Sequence, residues 1–402
     1  VHRKIPVGLQ LTVTMPDNKR RIAELREKID GLDHELLQRL EARARHSREI
    51  HELVQGEAVL PDVSETRWLE GWVERGSGDL PPESLRAIFA QIRAAGRALE
   101  QPTRVAYLGV EGGFSHRAAR LYFGASAQFI ESASAAELFE DVKRERAVFA
   151  VFPLESSSEG LMQANVSALA QTPLVLVGQR EVEARFDLVS REARLDALKV
   201  VYLTPTADAS CERFLDRELA GMRVEHVRSP LAAARLAARE AGTAALIPRG
   251  TVPLLADPAS LGGGSSRPGS AGSVPPSGSV PPPGSVPPAD LVPLREDVGD
   301  TPDARIRFAI AGPRPAMRSG RDVTCVLFSV SDQPGALYDV LKHFAERNIN
   351  LKRMQARPVR EAVDYLFYVE LEGHGTDRAL ATALEGVKRS TRYLKVLGSF
   401  PA

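Results

Sequence analysis

The sequence predicts a multidomain chain: an all-α segment first, an α/β segment after it, and a smaller α+β segment at the end. Three observations carry that division. From about Asp17 to Gln101, apolar residues recur at three- and four-residue steps with charges between them, the period of amphipathic helices. From Thr103 to about Ile247, short apolar runs alternate with helical patterns, and a glycine-rich turn follows the first run. From Asp322 to Pro401, four strand-like and two helical runs follow a βαββαβ order.

The 402 residues suffice for two or three domains, each with its own core. Lys+Arg and Asp+Glu are 52 each, a formal charge of zero, which argues against a general nucleic-acid binder or an anionic-membrane binder. Cys211 and Cys325 are the only cysteines and lack metal-type spacing. A disulfide scaffold is therefore excluded, and a reducing, cytoplasmic setting is expected, with no metal and no cofactor. No apolar run approaches the ~18 residues of a membrane span. Residues 1–16 lack the pattern of a secretory signal and are expected to form a disordered N-terminal extension. With Met15 as the start, the first fourteen residues would lie upstream of it.

The helical domain is expected over 17–101. Ile22, Leu25, Ile29, Leu32, Leu36, Leu37 and Leu40 mark a first helix running to about Val54. Such a helix is too long for one compact domain, so its stripe needs a partner, most simply a second subunit. A break at Gln55–Pro61 precedes a shorter helix from Ser64 to Arg75, and a turn at Gly76–Pro82 precedes a third from Glu83 to about Leu99.

One long and two shorter helices, with Leu25-Arg-Glu-Lys-Ile-Asp-Gly-Leu-Asp33, Leu36-Leu37 and Arg43, resemble the all-helical chorismate mutase domain, an intertwined dimer. Chorismate is a dicarboxylate, so its rearrangement needs cations for two carboxylates and a donor for the breaking ether oxygen. The resemblance makes Arg26 and Arg43 the carboxylate arginines, one donated across the dimer, and places Glu100 at the end of the site. It also puts Val54 where the family has its lysine, and Glu65 and Thr66 where it has an arginine and a glutamate. His51, one turn before Val54, is the alternative donor. The plain alternative for both arginines is a solvated helix face.

In the α/β segment, Val105–Leu108 reads as a strand entering Gly109-Val-Glu-Gly-Gly-Phe-Ser-His116, with a helix from Ala118. Such a turn exposes backbone N–H groups at a helix N-terminus and can hold an anion. Phe129–Ser132 is a strand, Glu137–Arg146 a helix. Phe149-Ala-Val-Phe is a buried strand expected to stop at Pro153, leaving Glu155 at the mouth of a cleft and Gly160 to close the turn. The bland alternative is a loop with Ser156 as an N-cap. Strands follow at Thr172–Gly178, Phe186–Ser190, Lys199–Leu203, Arg223–Val227 and Ala244–Ile247, with helices at Cys211–Leu219 and Leu231–Ala241; Arg307–Ile310 returns as a strand.

Gly-x-x-Gly-x-Phe-Ser-His-x-Ala-Ala, Phe-Ile-Glu-Ser and Pro-Leu-Glu-Ser-Ser-Ser-x-Gly resemble the prephenate dehydratase domain, here 103–312. The resemblance implies two α/β lobes like those of periplasmic binding proteins, with prephenate between them. It implies a catalytic set of Glu155, Ser156, Ser115, Arg307 and Phe308. The family's asparagine is Ser156 here, its Ser-His pair is Leu203-Thr204, its glutamine is Ser210, and the threonine of its Thr-Arg-Phe motif, the donor to the leaving hydroxyl, is Ile306. Three copies of a Gly-Ser-Val-Pro-Pro unit between Gly272 and Ala289 interrupt this domain, and 258–289 is expected to be a disordered, partly stiff insertion with no catalytic role.

The last segment, 322–401, has strands at Thr324–Val330, Asn350–Arg357, Tyr365–Leu371 and Lys395–Phe400, and helices at Ala336–Arg347 and Arg378–Lys388. It resembles the ACT regulatory domain, a ferredoxin-like fold that pairs between subunits. Gly335-Ala336-Leu337 and Arg357-Pro358 match its effector motifs, with L-phenylalanine as the implied effector. The order of domains resembles the bifunctional chorismate mutase–prephenate dehydratase family. Two readings stand: a dehydratase (lyase) of L-phenylalanine biosynthesis with a mutase-like (isomerase) domain and feedback control, or a degenerate paralogue with an amino-acid-sensing or scaffold role. Ile306, Thr204 and Val54 favour the second; the domain order and Glu155, Ser115, Arg307 and Phe308 favour the first. A homodimer or higher homo-oligomer is expected, with no nucleic-acid or membrane partner.

Overall fold

A computed structural model describes residues 15–54, 71, 79–100, 103–256, 291–358 and 365–402. The expected extension at the N-terminus, the Gly/Ser/Val/Pro insertion, and the helix at Ser64–Arg75 apart from helical Gly71 lie outside the described residues. The chain divides into two compact units, one holding the first helix and the other both sheets.

Helix α1 spans Met15–Val54. Its apolar stripe is bare: Ile22 is 50% exposed, Ile29 54% and Leu32 64%. A row of leucines and isoleucines left in water at helical spacing is an unpaired packing face. Helix α2 spans Pro82–Glu100, with Pro82 at its first position, where a missing N–H costs nothing.

In the second unit, strands β1 (Arg104–Leu108), β2 (Gln128–Ser132) and β3 (Phe149–Ser156) form a parallel trio. Strand β4 (Gly160–Leu161) folds back on β3, and β5 (Val175–Glu183) follows. Helices α3 (Phe114–Phe123), α4 (Ala135–Lys143) and α5 (Gln163–Ala170) cover the sheet. Next come β6 (Phe186–Ser190), β7 (Val200–Leu203), α6 (Pro205–Ser210), α7 (Glu212–Glu218), β8 (Arg223–His226), α8 (Pro230–Arg239) and β9 (Thr243–Pro248). With β10 (Val292–Arg295) these strands make a second sheet, in the order β10-β6-β9-β7-β8. Two α/β layers, each with its own core, result.

Strand β11 (Arg305–Gly312) returns to the first sheet between β3 and β5, antiparallel to both. The C-terminal domain is β12 (Asp322–Val330), α9 (Ala336–Ala345), β13 (Leu351–Pro358), β14 (Tyr365–Glu372), α10 (Arg378–Ser390) and β15 (Tyr393–Pro401), the expected βαββαβ order. Its sheet joins the first: β15 meets β5 at Gly398 and Leu176. A Cβ on Gly398 would stand 2.2 Å from the Leu176 carbonyl oxygen, so only glycine allows that approach. One face of the joined sheet packs Ala150, Phe152 and Leu154 with Leu138, Val166, Cys325, Leu327 and Phe400. The other packs Phe149, Val151, Phe308 and Ile310 against α3.

Three expectations need correction. Strand β3 does not stop at Pro153: it runs on to Ser156, with a bulge that adds Leu154 between the pairs Glu155↔Arg307 and Pro153↔Phe308. Helix α3 starts at Phe114 rather than Ala118, because Gly113 ends the turn in an extended conformation. Helix α6 was not expected, although Thr204 caps it by accepting from the Ala207 N–H and Pro205 opens it. Among the described residues no helix is long and apolar enough to cross a membrane.

Candidate active site and its connection to the C-terminal domain

The bulge in β3 decides where Glu155 points. Alternation along β11 puts Ile306 with Phe308 and Ile310 on the α3 face, and Arg307 on the opposite one. Arg307 donates from Nη2 to Glu155 Oε2 at 2.7 Å, and its Nη1 lies 2.6 Å from Glu370 Oε1 and 3.2 Å from Gln179 Oε1. The other Glu155 oxygen is taken by the C-terminal domain: Gln355 Nε2 donates to it at 3.0 Å, and Arg353 Nη1 is in close contact. Arg353 Nε stands 3.8 Å from Glu370 Oε2, and the Tyr368 hydroxyl 2.9 Å from Glu370 Oε1.

These are two carboxylates and two guanidiniums, so formal charge cancels within the cluster. The side chains of Glu155, Arg307 and Glu370 are 14%, 11% and 6% exposed. Burial works against the charge on Arg307, but Glu370, Tyr368 and Glu155 outweigh it and its pKa is raised. Burial also pushes the neighbouring Cys325 thiol up to about 12 and the Tyr368 phenol well above its usual value.

Ser156 is buried and serves its own turn. Its Oγ accepts from the N–H of Ser158 and of Glu159, at 3.2 and 3.1 Å. It caps a turn rather than a helix, since α5 begins only at Gln163. Ile306 pairs with Ser156 and packs, partly buried, against the α3-side core; Phe308 is buried within that core. Ser115 is the second residue of α3, and a Cβ on Gly109 would lie 3.7 Å from its Oγ.

The glycine turn is where the two α/β layers meet. Thr251 Oγ1 lies 3.1 Å from the Gly112 carbonyl, and Arg117 Nη1 donates to the Arg249 carbonyl at 2.8 Å. Gly112 has φ of 82°, and a Cβ there would press on the Leu231 nitrogen at 3.0 Å. The Glu111 N–H donates to Glu131, whose other oxygen faces Arg228 at 3.8 Å from the opposite layer. Across that edge, His226 pairs with Asp208 at 2.7 Å, and His226 is the lateral neighbour of Leu203.

The mutase-type residues belong to the first compact unit. Arg26 and Arg43 are exposed on α1 and, at ~1.5 Å of rise per residue, lie about 25 Å apart along it. Glu100 is the last residue of α2. In the C-terminal domain, Gly335 adopts a left-handed conformation (φ 85°) as the N-cap of α9, and Ala336 and Leu337 pack on the domain core. Arg357 and Pro358 end β13, opposite Leu366 and Tyr365. Sequence reasoning missed Arg353, Glu370 and the His226–Asp208 pair, because nothing local marks them.

Comparison with known proteins gives these features a class. Residues 25–101 match the type II chorismate mutases, 105–254 the prephenate dehydratases and 326–389 the ACT domains. A helical mutase-type domain, a two-layer dehydratase-type domain and an ACT domain therefore follow one another in a single chain. In content and order these three domains match those of the bifunctional chorismate mutase/prephenate dehydratases, to which the chain is similar along nearly its whole length. The bifunctional chorismate mutase/prephenate dehydratase of Aquifex aeolicus is 29% identical over 388 residues, covering 94% of this chain and 98% of that one. Its counterpart from Stutzerimonas stutzeri is 29% identical over 386 residues, covering 94% and 96%. The structure of prephenate dehydratase in complex with L-Phe from Arthrobacter aurescens matches with a TM-score of 0.56 at 27% identity, over 75% of this chain and 90% of that one.

Proposed function

We propose that this chain is a prephenate dehydratase, converting prephenate to phenylpyruvate, carbon dioxide and water for L-phenylalanine biosynthesis in the cytoplasm. The observation that carries the reading is the extent of the match: 94% of the chain against 98% of a bifunctional relative, with all three domains in order. In the reaction the bond to the ring carboxylate breaks, its electron pair enters the ring, and the ring hydroxyl leaves with a proton as water. Aromatisation drives the step, so the protein must hold the carboxylates and protonate the leaving oxygen.

The proposed site is Ser115, Glu155, Ser156, Arg307 and Phe308. Ser115 lies in the first turn of α3, whose first N–H groups favour an anion. Glu155 and Arg307 are mutually fixed, and Phe308 anchors β11 in the core. Ile306 has no proton to give, so this reading needs another hydroxyl to supply it: Ser156 or Ser157 beside β11, or Thr204 at the start of α6. Losing one preorganised donor typically costs about 3 kcal/mol, a hundredfold in rate. The second reading, a degenerate paralogue, is favoured by one observation: the Glu155 carboxylate is fully engaged by Arg307, Arg353 and Gln355. Phenylpyruvate formation by the purified full chain separates the two.

Chorismate is the proposed ligand of Arg26, Arg43 and Glu100. One helix cannot bring two arginines about 25 Å apart onto one small dicarboxylate. The site is therefore built from two copies, paired through the bare stripe of α1. L-Phenylalanine is the proposed effector, at Gly335, Ala336, Leu337, Arg357 and Pro358; the Arthrobacter aurescens enzyme was captured with L-Phe.

A further inference from the structure

We propose that Arg353, Gln355 and Glu370 of the ACT domain are positioning residues for the dehydratase site, holding the Glu155–Arg307 pair in place across the domain boundary. The inference rests on reading Glu155 and Arg307 as part of that site. Among the described residues, the polar partners of the Glu155 carboxylate apart from Arg307 are Arg353 and Gln355, both on β13. Arg307 in turn divides its guanidinium among Glu155, Gln179 of β5 and the ACT domain's Glu370. Of the four described residues that hold the pair from outside it, Gln179, Arg353, Gln355 and Glu370, three thus belong to a different domain.

Adhesion does not require this cluster. The two domains already share an apolar core of Phe152, Leu154 and Leu176 with Leu327, Leu397 and Phe400. Lys395 also donates to the carbonyls of Ala170 and Thr172 at 2.7 and 2.6 Å, capping the C-terminal end of α5. The buried pairs of Arg307 with Glu155 and Glu370 add little net stability over apolar side chains, and the half-exposed Arg353 adds little more, so what they contribute is geometry. Position 355 shows it. A glutamate there would face Glu155 at about the 3 Å now spanned by the amide, whereas Gln355 donates a proton into that gap. Gln355 also lies two residues from Arg357, on the same strand. Any shift of β13 beyond about 1 Å would break its bond to Glu155.

The test uses the full-length chain and phenylpyruvate formation. Arg353→Met and Gln355→Leu are each expected to lower kcat about tenfold, as for loss of a hydrogen bond to a charge, with KM nearly unchanged. Arg353→Lys is expected to restore most of the loss. In a Glu155→Gln background, Gln355→Leu is expected to add no further loss, because it acts only through Glu155. Wild-type kcat in both single variants, or a full additional loss in the Glu155→Gln background, overturns the inference and leaves the dehydratase reading standing. Wild-type kcat in Glu155→Gln overturns the site assignment itself, and the inference with it. Circular dichroism melts of each variant separate these outcomes from simple unfolding.

Discussion

Replacing Ile306 by threonine puts a hydroxyl where β11 meets Ser156, the position at which the family carries its donor. The substitution removes one methyl group and exchanges a methylene for a hydroxyl in a partly buried site on the α3-side core. About 0.8 kcal/mol per buried methylene, with a similar cost for the half-buried hydroxyl, gives a loss of about 1–2 kcal/mol. For a domain of this size that lowers Tm by roughly 2–8 °C. Against it stands the donor, at about 3 kcal/mol of transition-state stabilisation, so kcat is expected to rise by up to about a hundredfold. Phenylpyruvate production under saturating prephenate reads the rate, and a thermal melt reads the stability. A lowered Tm with unchanged kcat would show that the side chain was accommodated and no donor is needed there, refuting the placement.

Other consequences are equally measurable. Replacing Ile29 and Leu36 on the bare stripe of α1 by glutamate is expected to yield monomers by sedimentation, from a wild type that sediments as a dimer or larger; a monomeric wild type sinks the shared-site reading. Gly398→Ala drives a methyl group into the Leu176 carbonyl, so a loss of at least about 2 kcal/mol is expected in denaturant unfolding, and a wild-type midpoint argues against the β5–β15 junction. The Cys211 and Cys325 thiols are raised by burial from 9.0 to about 12. Their stabilisation is complete below pH 9 and is lost as pH rises from there toward 12, at up to about 1.4 kcal/mol per pH unit for each thiol. Alkylation at pH 8 should be negligible until the chain is unfolded; rapid labelling of the native protein would contradict that burial.

Much of this architecture is legible because it rests on periodicity. The α1 stripe repeats at helical steps from Ile22 to Leu40, and Phe186–Ser190, flanked by polar residues, coincides with β6. Local grammar failed at Pro153, where a proline that normally ends a strand is absorbed by a bulge. It failed again at Thr204-Pro205, a helix start that could have been read from cap chemistry. Glu155 stands out in the sequence, but its setting does not. Its partners Arg307, Arg353 and Gln355 lie 152, 198 and 200 positions away, and no pattern within a window can pair them. The sequence places Ile306 and Arg307 side by side; only the sheet shows that they face opposite cores.

The dehydratase activity is tested most directly by incubating the purified full-length chain with prephenate at neutral pH and following phenylpyruvate. Formation well above the uncatalysed rate, sharply lowered but still measurable in Glu155→Gln, a protein that still melts cooperatively, is the expected result. A folded chain that leaves prephenate no faster than buffer does would contradict it.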